Sequence, residues 1–146
     1  MARLDTLKRI IQVKEYKKSE AEIELQKAWR VLKTEQSQLA LLEKHLADNT
    51  AALDKKKNSR NINGYELTLY YDYIETLYKK IDAQTKVVAE KTLEMEKKQT
   101  ELVEAYREVK TVEVLKDRVV SDESKKMERQ TQREMDFAYL SRLPRN

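Results

Sequence analysis

His45 is the only histidine in the chain, and cysteine is absent. A lone imidazole can serve as a general base only beside a nucleophile and an orienting carboxylate. Here no such set can be drawn, because His45 stands between Leu42 and Leu46 in mixed-sign helical sequence. The 26 Asp and Glu residues are scattered among 30 Lys and Arg, with no spacing that resembles a carboxylate dyad or a metal cage. Gly64 is the single glycine, so no glycine-rich phosphate loop exists. The chemistry left to such a chain is recognition. We expect no enzyme and no cofactor.

Two clusters could recognise something. Tyr65, Tyr70, Tyr71, Tyr73 and Tyr78 hold five of the eight tyrosines within fourteen residues. Tyrosine offers a large contact area and a hydroxyl at low entropic cost, and it is enriched at binding surfaces. Beside them, Lys55, Lys56, Lys57 and Arg60 make the same region basic. A second group, Met127, Met135, Phe137, Ala138, Tyr139 and Leu140, lies near the C-terminus, where apolar residues have no evident partner.

The elements that position these groups follow from a heptad lattice. Alternate steps of three and four from Leu4 reach Leu7, Ile11, Lys14, Lys18, Ala21, Leu25, Ala28, Leu32, Glu35, Leu39, Leu42, Leu46, Asn49 and Leu53, and eleven of these fifteen positions are apolar. That is a coiled-coil seam. Beyond Gly64 the sevenfold step restarts through Leu67, Ile74, Ile81, Val88, Met95, Leu102 and Val109 without a polar exception. The intervening Asn58–Tyr65 stretch is rich in turn formers, whose left-handed backbone can end a helix.

The fold class is therefore all-α: two long helices forming an antiparallel coiled-coil hairpin, in a single coiled-coil domain spanning 1–146. Helix 1 is expected at about 3–57, a turn at 58–65, helix 2 at about 66–140 and a short tail at 141–146. With helix 2 using positions 67, 70, 74 and onward to 119, every helix-1 lattice residue has a partner whose number brings the pair to 123. Leu53 then faces Tyr70, Leu42 faces Ile81, Ala21 faces Leu102 and Leu4 faces Val119, about an axis between Asn61 and Ile62.

The lattice also predicts unevenness. Leu32 and Leu25 face Lys91 and Lys98, which must lay their stems on the seam and lift their charges out, so the middle should be looser than the turn end. Glu75–Lys79, Asp82–Lys86 and Glu94–Lys98 should form exposed pairs worth about 0.2–0.5 kcal/mol each. Tyr70 belongs to the seam, whereas Tyr71, Tyr73 and Tyr78 should be exposed. Trp29, next to seam residue Ala28, should pack on helix 2. Since Leu4 is already matched to Val119, helix 2 overhangs from about residue 120.

No apolar run approaches the roughly 20 residues needed to span a bilayer, and the N-terminal sequence lacks an apolar signal core. A cytoplasmic address is expected. The net charge of +4 is modest for this composition and argues against nucleic acid as partner.

Length, two-helix layout and three stretches of sequence together resemble the FliJ family, the coiled-coil component of the bacterial flagellar type III export apparatus. The stretches are Ser37–Leu42, Tyr73–Leu77, and Val114–Arg118 followed by Met135–Ala138. In the last, Glu134 precedes the methionine and no second acidic residue follows Asp136, a departure from the family's ending. The resemblance implies a stalk-like subunit whose paired ends enter a FliI-like export ATPase ring, at positions matching Leu4, Leu7, Leu115, Arg118, Met127, Met135 and Phe137. It implies that the tip-proximal region engages the cytoplasmic domain of an FlhA-like export gate, through Gln38, Leu42, His45, Asn49, Tyr71, Tyr73, Leu77, Lys80 and Gln84. Here His45, Asn49 and Lys80 depart from the family's apolar or aromatic character. Other export chaperones are possible partners, the free protein is expected to be a monomer, and it would associate peripherally with the inner-membrane apparatus. The alternatives are a general export chaperone, the equivalent injectisome stalk, and a structural coiled-coil spacer.

Overall fold

The computed structural model describes residues 2–59 and 63–144. Two helices, α1 (Ala2–Asn58, 57 residues) and α2 (Gly64–Arg142, 79 residues), pack against each other as an antiparallel hairpin, and no strand occurs among the described residues. The described chain divides into two compact units, each built from both helices: Met1–Glu20 with Val103–Asn146, and Ala21–Leu102.

The lattice holds throughout. All fifteen α1 positions from Leu4 to Leu53 and all sixteen α2 positions from Leu67 to Val119 are buried or half-buried, whereas most positions between them are exposed. Cross-helix contacts scatter about the register, because long side chains reach along the partner helix: Lys14–Glu108 and Lys56–Glu66 each add to 122, Lys18–Tyr106 to 124, Glu35–Gln84 to 119 and Lys57–Tyr71 to 128. They centre on the expected 123. The expected axis between Asn61 and Ile62 lies outside the described residues.

A two-helix seam encloses little. Among the described residues Leu32, Leu53, Leu77, Met95, Val109 and Val119 are the buried apolar ones, and no polar residue is buried. At Leu32 the middle is as closed as the turn end, since Leu32 and Leu77 are each 2% exposed. The reason lies in the lysines opposite. Lys91 and Lys98 lie against the seam with side chains about one-third exposed, and their ammonium groups reach Glu94 at 3.5 Å and Glu101 at 3.4 Å. Their methylenes cover the leucines while the charges leave for the flank. This also corrects the expected Glu94–Lys98 pair: each seam lysine takes the acid three residues onward. The Glu75–Lys79 and Asp82–Lys86 pairs form as expected, at 3.6 and 3.4 Å.

Residues 60–62, the middle of the expected turn, lie outside the described residues, and its two edges are built as follows. Gly64 is the first residue of α2, and no described residue has a positive φ. The work falls to Asn63, whose Oδ1 accepts the Glu66 backbone N–H at 2.7 Å while its carbonyl accepts that of Leu67 at 3.2 Å. A side-chain oxygen satisfying an orphan amide of the first turn is an N-cap. At the other side, Ser59 donates from both N and Oγ to the Lys56 carbonyl at the end of α1. Lys55, Lys56 and Lys57 occupy the last turn of α1, where the helix dipole favours cations. Replacing Asn63→Ala should lower stability by about 1 kcal/mol, read as an earlier thermal melt by circular dichroism.

Candidate docking surfaces

Around the turn, in the unit Ala21–Leu102, the helix surface rather than any cleft offers the contacts. Tyr65, Tyr71, Tyr73 and Tyr78 are all exposed, and Tyr70 is half-buried on the seam, as its lattice position required. Tyr71 is held from α1: the Lys57 ammonium lies 5.0 Å from its ring centroid. Hydrogen bonding to Tyr71 raises the Lys57 ammonium above its ordinary range. Tyr73, Tyr70 and Leu69 line an open groove with Asn49, Lys56 and Glu66, of about 340 Å³, in which Lys56 pairs with Glu66 at 3.5 Å. Aromatic faces beside ammonium groups suit recognition of a folded surface with acidic and apolar character.

The residues singled out for the gate do not form one uniform surface. Gln38, His45, Tyr71, Tyr73 and Lys80 are exposed, whereas Leu42 and Asn49 are half-buried. Leu77 is 2% exposed and belongs wholly to the seam. The Gln84 amide is committed across the seam, donating to the Glu35 carboxylate at 2.5 Å and the Glu35 carbonyl at 2.9 Å. Asn49 donates to the His45 carbonyl at 2.7 Å. Four of those nine residues therefore lie on the hairpin's own seam.

The other surface lies in the unit Met1–Glu20 with Val103–Asn146. Leu4 and Leu7 are half-buried, Leu115 and Arg118 are exposed, and the seam closes at Val119. From Ser124 onward every described residue of α2 is exposed, so the overhang is bare helix. Met127, Met135, Phe137, Tyr139 and Leu140 are each more than 60% exposed. Where α1 begins, Leu4 meets Val120, Ser124, Met127 and Thr131 in an open groove of about 600 Å³. A helix that leaves these side chains in water offers apolar groups to a partner.

Also within the unit Ala21–Leu102, Trp29 lines a small groove with Leu25, Gln26, Met95 and Gln99, of about 290 Å³, and Lys33 approaches its ring at 5.9 Å. It packs beside α2 as expected, yet remains nearly half exposed. Neither sequence period nor composition revealed that groove, because the seam residues Leu25 and Met95 form it together with the flanking Gln26, Trp29 and Gln99.

Among the described residues no group of carboxylates and imidazoles is placed to hold a metal ion, and no helix is long and apolar enough to cross a membrane. The fold and its surfaces define a coiled-coil hairpin suited to protein–protein contact. The family model for the flagellar FliJ protein matches residues 3–141, essentially the whole chain. The chain belongs to that family, and is thus a protein of the flagellar export apparatus. No curated protein and no solved structure matches it.

Proposed function

We propose that the chain acts as a stalk-like adaptor in flagellar protein export, binding the export ATPase ring with its paired ends and overhang and the cytoplasmic domain of the export gate near its turn. Family membership over residues 3–141 carries this reading. The bare end of α2 and the tyrosine-rich turn supply two separate surfaces on one pair of helices. Leu4, Leu7, Leu115, Arg118, Met127, Met135 and Phe137 belong to the ATPase surface. At the gate surface we assign contact to Gln38, His45, Tyr71, Tyr73 and Lys80, with Leu42, Asn49, Leu77 and Gln84 supporting it from the seam. The protein would work by binding alone, peripheral to the membrane, promoting ring assembly at one end and biasing the gate at the other.

Co-purification with the export ATPase and the gate domain is the direct test. Tyr71→Ala with Tyr73→Ala should reduce gate affinity about tenfold or more, as loss of interface tyrosines does, with helicity and ATPase stimulation unchanged. Unchanged gate affinity would remove the tyrosine surface from the reading. A chain that instead suppressed aggregation of unrelated proteins would be a holdase.

A further inference from the structure

Four lattice positions of each helix are polar, and in the observed register each faces an apolar residue: Lys14 faces Val109, Gln84 faces Leu39 and Lys116 faces Leu7. Polar residues in a coiled-coil seam lower stability but can fix register. Fixing is needed here, because the seven-residue repeat would let α2 move along α1 by a whole heptad with knobs still meeting holes. Packed helices do ratchet past one another by whole turns.

The polar positions oppose that movement in both directions. If pairs added to 130, Lys14 would face Lys116, Leu7 would face Glu123 and Leu4 would face Lys126. If pairs added to 116, Leu53, now 4% exposed, would face Asn63, the cap of α2. The slip to 130 would break the two hydrogen bonds from Gln84 to Glu35, which are part-buried, and either slip would break the Lys14–Glu108 pair at 3.0 Å. We propose that the polar seam residues form a register lock, with Gln84 holding α2 to Glu35 in one unit and Lys14 excluding Lys116 in the other.

The chain has no cysteine, so spin labels can be placed cleanly on the full-length protein. Gln12→Cys with Thr111→Cys reports the unit containing Lys116, and Ala40→Cys with Ala83→Cys reports the unit containing Gln84; all four positions are exposed. Each label pair adds to 123, and a slip of one heptad would offset it by about 10 Å along the helix axis. The parent chain should give one distance population for each pair. Gln84→Leu combined with Lys116→Glu, which turns the slipped Lys14 contact from repulsive to attractive, should add a second population of about a tenth of molecules or more. Lys116→Glu alone keeps Gln84 and serves if the double variant folds poorly; it should show the second population at the Gln12–Thr111 pair. Two populations in the parent would overturn the proposal. So would a single unchanged distance in a variant that keeps its helicity.

Discussion

Removing residues 120–146 is expected to abolish stimulation of the export ATPase while the hairpin remains folded. The two halves of that outcome rest on different observations. Retained folding follows because the last seam residue is Val119, matched to Leu4, and every described side chain from Ser124 onward is exposed. Little enclosed apolar area is lost with the segment. Loss of stimulation follows because the removed helix carries Met127, Met135 and Phe137 and most of the groove around Leu4. At about 25 cal/mol per Å² of apolar surface, several such side chains docked in a ring could supply most of the affinity. Circular dichroism should show a helical signal reduced only by the missing turns, and ATPase assays should return to the unstimulated rate. Normal stimulation by a folded truncated chain would leave the overhang without that role.

Leu32→Ala and Leu77→Ala should each lower stability by about 2–5 kcal/mol, among the largest losses available to this chain. Both side chains are 2% exposed, in a seam that encloses few others. Neighbouring layers cannot close such a gap without bringing α1 and α2 together, and the lysines opposite Leu32 and Leu25 already pack their stems there. Thermal melts should move down by about 5 °C or more. Leu77 carries an added distinction, since the family resemblance assigns its position to gate contact. Weakened gate binding by Leu77→Ala should accompany the fall in melting temperature, and Leu77→Met should largely restore both. A Leu77→Ala chain of parental stability that still failed to bind would make Leu77 a contact residue.

The seam was legible because a coiled coil writes its packing into a period. Leu4 through Leu53 and Leu67 through Val119 could be paired by arithmetic, and the observed contacts fall beside that register. What escaped was geometry finer than the period. Nothing in the repeat says whether Lys98 turns toward Glu94 or Glu101, since both lie one turn away. Gly64 drew the eye as the lone turn glycine, yet any residue without a clash fits a first-turn position; the cap depends on the Asn63 side chain. The tightness around Leu32 depends on lysine methylenes, which composition counts only as charge.

The candidate surfaces were legible only as apolar or aromatic groups off the seam. Exposure of Tyr71 and Tyr73 followed from their lattice phase, and that of Met127 and Phe137 from the overhang beyond the Leu4–Val119 match. The roles of Gln84 and Asn49 did not, because a polar residue on a lattice position can turn toward a partner protein or toward its own hairpin. Here both are spent internally, on Glu35 and His45.

The division of the chain into two units bears on its birth at the ribosome. The unit Ala21–Leu102 is a continuous stretch whose innermost pairs, such as Leu53 and Tyr70, are separated by few residues, so the entropy of closing it is small. It can zip up while α2 is still emerging. The unit that joins Met1–Glu20 to Val103–Asn146 must wait for the far end of the message. Through most of synthesis the leucines of the first helical turns are therefore left without their mates, and the groove around Leu4 is the last to be completed.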